Sequence, residues 1–377
     1  MSDDAVQEPD RVPGAPHPRE TTALLGQQAA EADFLDAFRS GRLHHGWLIT
    51  GPRGVGKATL AWRIARFLLA QPVGDGGGLF NDPAPPADRL DIPADHPVSR
   101  RVAALSEPGL FLLRRGWDDK TKRLKQVITV DEARKLKGFF ALSSAEGGRR
   151  VVIVDAADEL NPSAANALLK LLEEPPARTT LLLVSHAPAR LLPTIRSRCR
   201  ELRCAPLSSD DLGQALANAG EEPGAATATL AELSGGSVGE ALRLLHLGGP
   251  EIYAEMTTLL RDAPRLDRPR AIKLADGMAG REAAERFDVA LRLADMLLAR
   301  LARTGSGLPP MVEAVPGEAE LMARLAPSPA AGRDWADLQQ SLGARVRHGR
   351  AVNLDPASLI LDMVLRINET AARMAAS

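Results

Sequence analysis

The chain has 377 residues, which is long for one hydrophobic core and indicates two or three domains. Hydrophobic residues make up 45% and charged residues 25%, the balance of a globular protein, and the formal net charge of -1 argues against a broad basic surface for nucleic acid. Two cysteines indicate a reducing compartment, and no apolar run suits a signal peptide or a membrane span. We therefore expect a cytoplasmic protein without membrane contact.

The first 205 residues alternate short apolar runs with amphipathic segments. A polar, proline-rich lead-in over residues 1–20 predicts disorder, and glycine and proline density over residues 71–101 predicts a surface insertion. In chain order the pattern predicts a helix at 28–39, a strand at 47–50, a helix at 58–70, strands at 110–113 and 127–129, a helix at 131–140, a strand at 151–154, a helix at 163–174, and strands at 180–185 and 201–204. This alternation predicts a parallel α/β domain over residues 21–205.

From residue 208 onward the pattern changes to amphipathic helices without a strand signal. Glycine-rich breaks fall at residues 220–224, 234–236 and 248–250. We predict a small helical domain over residues 206–248 and a larger all-helical domain over residues 249–377.

The segment GPRGVGK, residues 51–57, follows a predicted strand and opens a predicted helix, which is the context of a Walker A phosphate loop. Its glycines allow backbone N–H groups to face phosphates, and Lys57 adds a positive charge. The alternative is a glycine-rich strand-to-helix turn without a ligand. The predicted nucleotide-binding residues of the loop are Gly51, Arg53, Gly54, Gly56, Lys57 and Thr59.

Two positions around this loop lack the groups that hydrolysis requires. The residue after Lys57 should carry the hydroxyl that holds Mg²⁺, but it is Ala58, and Thr59 lies about 100° further around the helix. The strand at 151–154 leads into Asp155, a Walker B carboxylate or, alternatively, a helix N-cap. Ring-forming ATPases place a water-positioning glutamate next, where this chain has Ala156.

Three further segments, NALLKLLEEPP at residues 166–176, TTLLLVSHAP and TIRSRCR, resemble the AAA+ subunits of bacterial DNA polymerase III clamp loaders. The resemblance covers residues 25–245 motif by motif, and the altered Walker residues are similar to the delta-prime branch of that family. It implies an α/β P-loop AAA+ domain with a parallel sheet and flanking helices, followed by a small helical lid domain and an all-α C-terminal collar domain.

The resemblance also implies roles for single residues. Arg198, in the Ser-Arg-Cys motif, would be an arginine finger that acts in trans on a neighbouring subunit's nucleotide; the alternative is one surface arginine beside Arg196 and Arg200. Ser185 occupies the sensor 1 position, although a plain buried serine fits equally well. Gly239 stands where active subunits carry the sensor 2 arginine.

The function implied by the resemblance is that of a non-hydrolysing component of the DNA polymerase III holoenzyme. It would assist ATP-dependent loading of the sliding clamp onto primed DNA, in a hetero-oligomeric ring with gamma/tau and delta subunits, and would reach clamp and primer-template DNA through that complex. No cofactor is required, and weak ATP or ADP binding stays open. The alternative is an active AAA+ ATPase, gamma/tau-like or another DNA-associated motor, in which Thr59 and Asp158 take the missing roles.

The sequence departs from the family at one further place, and it also contains two cysteines and one basic segment. The family's four-cysteine zinc module has no counterpart, because residues 72–101 contain no cysteine, so we predict no metal site. Cys199 and Cys204 are expected to be buried small apolar residues. The basic segment 114–125 would contact the DNA backbone or an acidic surface of a partner. The alternative is a solvated hairpin tip without a partner.

Overall fold

The computed structural model describes residues 8, 11, 15–71, 88–118, 120–142, 148–280 and 283–376. The chain divides into two compact units, the first formed by Met1–Ala219 with Ser237–Gly239 and the second by Gly220–Gly236 with Glu240–Ser377. The predicted domain limits at residues 206 and 249 stay a prediction. Within the described ranges, no helix has both the length and the apolar character needed to cross a bilayer.

The first unit contains an α/β arrangement. Its elements are α1 (Gln28–Arg39), β1 (Gly46–Thr50), α2 (Lys57–Ala70), α3 (Pro97–Ala103), β2 (Leu110–Arg114), β3 (Trp117–Asp118), β4 (Arg123–Leu124), α4 (Val130–Leu142), β5 (Arg150–Asp155), α5 (Pro162–Glu173), β6 (Thr179–Val184), α6 (Pro193–Arg196), β7 (Arg200–Arg203) and α7 (Ser209–Asn218).

Five strands form one parallel sheet in the order β2-β5-β6-β1-β7. Apolar runs such as Val151 to Val154 and Leu181 to Val184 are fully buried, as expected for strands covered on both faces by helices. The register pairs Ile49 with Val184 and Val184 with Asp155. The carboxyl ends of β1, β6 and β5 therefore lie side by side, which confirms the predicted α/β fold class.

The predicted strand at residues 127–129 is wrong. Ile128 forms only an isolated parallel bridge with Leu160, through its N–H to the Glu159 carbonyl and its own carbonyl to the Asn161 N–H. Because α4 and α5 begin two residues after this bridge, the chain turns helical before a ladder can extend. In the predicted insertion, residues 72–87 lie outside the described residues, and α3 forms where a loop was expected, with Val98 and Val102 buried.

The lead-in differs from its prediction in residues 15–20, while residues 1–7, 9, 10 and 12–14 lie outside the described residues. His17 is fully buried, with its ring 6.2 Å from that of Trp62 in an edge-on contact. Arg66 on α2, itself buried, donates two hydrogen bonds of 2.8 Å to the backbone carbonyls of Arg19 and Thr21, at the end of this segment. A buried guanidinium needs acceptors, so it holds a segment whose own composition offers little apolar surface.

The second unit is helical, as predicted for the C-terminal part. Its helices are α8 (Thr227–Ser234), α9 (Val238–His246), which begins in the last residues of the first unit, α10 (Gly249–Arg261), α11 (Arg268–Asp276), α12 (Ala284–Gly305), α13 (Glu318–Leu325), α14 (Pro329–Ala351) and α15 (Pro356–Ala376).

A buried polar network joins three helices of the second unit. Glu318 at the start of α13 is fully buried, and it accepts hydrogen bonds from the hydroxyl of Tyr253 on α10 and, at 2.6 Å, from the N–H of Ala314. The guanidinium of Arg300 on α12 lies 3.2 Å from the same carboxylate. A buried carboxylate is tolerated here because both of its oxygens have partners.

Candidate functional site

The predicted phosphate loop, residues 51–57, links β1 to α2 and packs against two other segments. Gly51 and Gly54 have φ angles of 137° and 74°, and a Cβ on Gly51 would collide with the carbonyl of Cys204. On the other side, the N–H of Gly239 donates a 3.3 Å hydrogen bond to the Gly54 carbonyl. The expected sensor 2 position thus lies directly against the loop, where it offers backbone and no guanidinium.

Lys57 is folded back onto its own loop. The side chain is buried, and its Nζ donates hydrogen bonds to the carbonyl oxygen of Gly51, at 2.7 Å, and to that of Pro52. Burial lowers the pKa of Lys57 to about 8, while the nearby Asp155 and other acidic groups act in the opposite direction. A phosphate would have to replace two existing hydrogen bonds to reach this ammonium group.

Asp155 and Ser185 lie where the sequence predicts them, at the ends of β5 and β6. The register that pairs Asp155 with Val184 places Ser185 one position beyond, and both residues are buried. The structure therefore brings Lys57, Asp155 and Ser185 to one end of the sheet. Thr59 lies half-buried in the first turn of α2.

The two acids after Asp155 have partners within the chain. Asp158, in the short 3-10 turn Ala157–Glu159, accepts a 2.8 Å hydrogen bond from the N–H of His186. Burial raises the pKa of Asp158, but the hydrogen bond from the His186 N–H and the nearby Ser185 side chain outweigh burial and lower the pKa below its usual value. Asp158 is thus an ionised acceptor that holds the turn against the end of β6.

Glu159 lies between two arginines. Its carboxylate is 2.8 Å from the Nε of Arg115 and 3.9 Å from the guanidinium of Arg53, the predicted loop residue, whose side chain is 74% exposed. Burial raises the pKa of Glu159, and both arginines oppose that change. The pairs connect the loop to the residues that follow β2.

Two residues of this site were missed by sequence reasoning. The first is His186, which follows Ser185. Burial lowers the pKa of His186 to about 4, and the positive charges of Lys57 and Arg53 act in the same direction. The imidazole is therefore neutral at neutral pH. Its position directly after a predicted buried strand is the signal that could have identified it.

Gln27, the other residue, holds the loop from the N-terminal side. It is 2% exposed, and its amide donates to the carbonyls of Val55, at 3.0 Å, and Ala205, at 2.8 Å. Its oxygen accepts from the Ala205 N–H at 2.9 Å. No periodic pattern marks a single glutamine before a helix, so only the tertiary structure identifies this contact.

The residues present do not fit a hydrolytic magnesium site. Ala58 and Ala156 have no oxygen in their side chains at the two positions where a hydroxyl and a glutamate are needed. Within the part of the chain that the structure describes, no group of three or more His, Cys, Asp or Glu side chains could hold a metal ion. The zinc prediction stays a prediction.

Arg198 lies at the opposite end of the sheet. Its carbonyl oxygen lies 3.1 Å from the position of a Cβ on Gly46, the first residue of β1, whereas the phosphate loop follows the last residue, Thr50. A strand of this length separates the two ends by roughly 13 to 16 Å. The Arg198 guanidinium, 37% exposed, lies 3.0 Å from the carboxylate of Glu173 and donates to the Thr194 carbonyl at 3.0 Å.

Of the two cysteines that the sequence predicts to be buried, only Cys204 is fully buried. Cys204 is 1% exposed, and Cys199 is half-buried against the sheet core. Burial raises the pKa of the Cys204 thiol to about 11 and that of Cys199 to about 12. Both side chains therefore remain neutral thiols at physiological pH.

Comparison with known proteins matches the α/β part of the chain. Residues 26–208 match the model of the family described as DNA polymerase III, delta subunit. The match covers the sheet, the phosphate loop and Arg198, and it confirms the resemblance to clamp-loader subunits of the delta-prime kind.

Three relatives agree with this assignment. The chain is 38% identical over 216 residues to DNA polymerase III subunit delta' of Pseudomonas aeruginosa, with 56% of this chain and 59% of that protein covered. It is 31% identical over 213 residues to subunit delta' of Escherichia coli, covering 51% and 56%. It is 27% identical over 260 residues to subunit gamma of Buchnera aphidicola, covering 66% and 64%. The chain spans less than two thirds of the length of each.

We predict that Gln27→Ala destabilises the first unit by about 1 to 3 kcal/mol, because it leaves two carbonyls and one N–H unpaired in a buried position. Urea unfolding followed by tryptophan fluorescence would measure the change. The neighbouring Gln28→Ala, at an exposed helix position, is the matched control and should change the free energy of unfolding by less than about 0.5 kcal/mol. Equal effects of the two substitutions would show that the hydrogen bonds of Gln27 do not stabilise the phosphate loop.

We also predict a pH-dependent contribution from Lys57. Its pKa is lower in the folded chain than in the unfolded chain, so between about pH 8 and pH 10 the unfolded state binds more protons and stability rises with pH. The free energy of unfolding of the wild type minus that of Lys57→Met should increase by about 1 to 3 kcal/mol over this range. Urea titrations at several pH values would measure it.

The control for this pH series is Lys137→Met, which removes an exposed lysine on α4. The rise in stability should persist in this variant and disappear in Lys57→Met. A difference between wild type and Lys57→Met that stays flat or falls with pH would show that the ammonium group is not desolvated in the folded loop.

Proposed function

We propose that this chain is the delta-prime subunit of a bacterial DNA polymerase III clamp loader. It assists ATP-dependent loading of the sliding clamp onto primed DNA, does not hydrolyse ATP itself, and provides Arg198 to the nucleotide site of a neighbouring subunit. The family match over residues 26–208 supports the assignment.

The observation that carries the proposal is the difference between the two ends of the parallel sheet. At the carboxyl end, Lys57 is bonded to its own loop, and the positions of the magnesium hydroxyl and of the water-positioning glutamate are Ala58 and Ala156. Loss of a general base alone lowers a rate by about 10² to 10⁴. At the amino end, an arginine remains in place and accessible.

Arg198 is suited to act on another molecule because it is too far from its own loop. Its ion pair with Glu173 is partly solvent-exposed, and surface pairs contribute only about 0 to 1 kcal/mol. A triphosphate presented by a neighbouring subunit would compete easily for the guanidinium. A trans-acting arginine raises kcat by about 10³ to 10⁵, equivalent to about 4 to 7 kcal/mol of transition-state stabilisation.

The partners follow from the same proposal. They are gamma/tau and delta subunits in a hetero-oligomeric ring, the sliding clamp, and primer-template DNA reached through the complex, all in the cytoplasm. The relatives support this because they are named as subunits of DNA polymerase III. The chain needs no resident cofactor and no zinc; a weakly held ATP or ADP is compatible with the role.

A second candidate is an active gamma/tau-like ATPase, which the 27% identity to a gamma subunit favours. In that case Thr59 and Asp158 would hold magnesium and activate water. The contacts of Asp158 weigh against it, because its carboxylate already accepts the N–H of His186.

ATP turnover separates the two candidates. The purified chain with Mg-ATP should release phosphate no faster than the buffer blank in a continuous phosphate assay. Turnover of about one per second or faster, in the ordinary range for enzymes, would replace the proposal with the ATPase alternative. Activity that persists in Lys57→Ala would come from a contaminating enzyme and would leave the proposal standing.

Substitution of Arg198 tests the trans-acting role. In a complex reconstituted with the other loader subunits, Arg198→Ala should lower clamp- and DNA-stimulated ATP hydrolysis at the neighbouring site by about 10³-fold, while the complex still assembles. The exposed Arg196→Ala, two residues away, is the matched control and should keep the wild-type rate. An unchanged rate for Arg198→Ala would remove the finger from the proposal.

A further inference from the structure

A short antiparallel hairpin, residues 116–118 and 120–125, carries a group of cations and follows β2 at the carboxyl end of the sheet. We refer to it as the basic hairpin. Its strands β3 and β4 pair Trp117 with Leu124 and Asp118 with Arg123. The Lys125 N–H closes the base with a 2.9 Å hydrogen bond to the Gly116 carbonyl. The segment is therefore an ordered two-stranded β-ribbon.

The tip of the basic hairpin is fixed by its own acid. The carboxylate of Asp118 accepts hydrogen bonds from the N–H groups of Lys120, at 2.9 Å, and Thr121, at 3.3 Å. Lys122 has a φ angle of 52°, which completes the reversal. The Asp118 carboxylate therefore stabilises the turn through hydrogen bonds to the backbone. The side chains of the tip are attached to an ordered backbone.

The cations of residues 114–125, the hairpin with the two arginines before it, divide into two groups. Those at the base have carboxylate partners in the same chain: Arg114 with Glu8 at 3.3 Å, Arg115 with Glu159 at 2.8 Å, and Lys125 with Glu132 at 4.0 Å. Those at the tip, Lys120, Lys122 and Arg123, are exposed and have no carboxylate partner among the described residues. The base cations fix the ribbon, and the tip cations are exposed.

We propose that the tip of the basic hairpin binds the phosphate backbone of duplex DNA, with Lys120, Lys122 and Arg123 as the contacts. The proposal rests on the proposed function only for the source of the DNA. Three cations within four residues match a polyanion with evenly spaced charges better than the irregular carboxylates of a protein surface. Duplex DNA carries one charge per about 1.7 Å of helix axis, which is a higher charge density than that of a single strand. A cluster of cations therefore binds duplex DNA more tightly than a single strand.

The anchoring of the hairpin supports this role. Glu159 holds Arg115 at the hairpin base and Arg53 in the phosphate loop, so the ribbon is tied to the framework of the sheet. A charged tip on a fixed base loses less conformational freedom on binding than a loose loop would. Since the contacts involve phosphates alone, the interaction is independent of base sequence.

The test measures binding of a fluorescein-labelled duplex of mixed sequence to the reconstituted complex over a series of NaCl concentrations. Lys120→Ala, Lys122→Ala and Arg123→Ala together should reduce the slope of log affinity against log salt by about 2 to 3, because three phosphate contacts are lost. The same variant should raise Kd by about tenfold to several hundredfold near 0.1 M salt. Anisotropy gives both quantities.

A charge-matched variant is the control. Arg42→Ala, Arg89→Ala and Arg333→Ala remove the same charge from exposed positions outside the hairpin and should keep the wild-type slope. Equal slopes for the hairpin variant and wild type would overturn the proposal. The full chain alone is titrated in parallel at low salt, so that a failure to assemble, which would count against the proposed function, leaves this test intact.

A photoreactive amino acid at Thr121 identifies what the tip touches. Thr121 is exposed between the tip cations, and illumination of the assembled complex should attach the chain to the duplex. An adduct with a protein subunit in place of DNA would overturn the proposal in favour of an acidic protein surface. The same photoreactive group at Arg42 should give no DNA adduct.

Discussion

The parallel pairing of β1, β6 and β5 is the constraint on which the other features of the first unit depend. These strands are buried on both faces, so their register is fixed by packing, and a shift by one residue would exchange the two faces. With the register fixed, the residues that follow these parallel strands lie together at the carboxyl end of the sheet, and the residues that precede them lie together at the amino end. Lys57, Asp155 and Ser185 fall in the first class, and Arg198 in the second.

At the carboxyl end, every charge of the site has a partner within the chain. Lys57 is bonded to loop carbonyls, Asp158 to the backbone of His186, and Glu159 to Arg53 and Arg115. Such mutual satisfaction stabilises the strand-to-helix connection, because a buried charge without partners is costly. The loop therefore has a structural use that does not depend on a bound nucleotide, and this explains how a phosphate-loop sequence can persist next to Ala58 and Ala156.

Two groups of exposed cations in the first unit carry the proposed contacts with other molecules. Arg198 is held by an ion pair with Glu173 and a hydrogen bond to the Thr194 carbonyl, and the tip of the basic hairpin is held by backbone hydrogen bonds to Asp118. In both places hydrogen bonds hold the segment that carries the cations, and the cationic side chains reach the surface. Under the proposed function, these positions would act on a neighbour's nucleotide and on DNA.

The sequence by itself determined the alternation of strands and helices, the phosphate loop, the two alanines and the Ser-Arg-Cys motif, because apolar periodicity and local motifs are properties of neighbouring residues. It did not determine that α3 ends the insertion, that residues 127–129 form only a bridge, or that His17 is buried. Nor did it reveal the contacts of Gln27 and His186, or the two groups of cations in the basic hairpin. Those depend on hydrogen bonds and ion pairs between residues far apart in the chain, such as Gln27 with Ala205 and Arg115 with Glu159, and only the packed sheet brings them together.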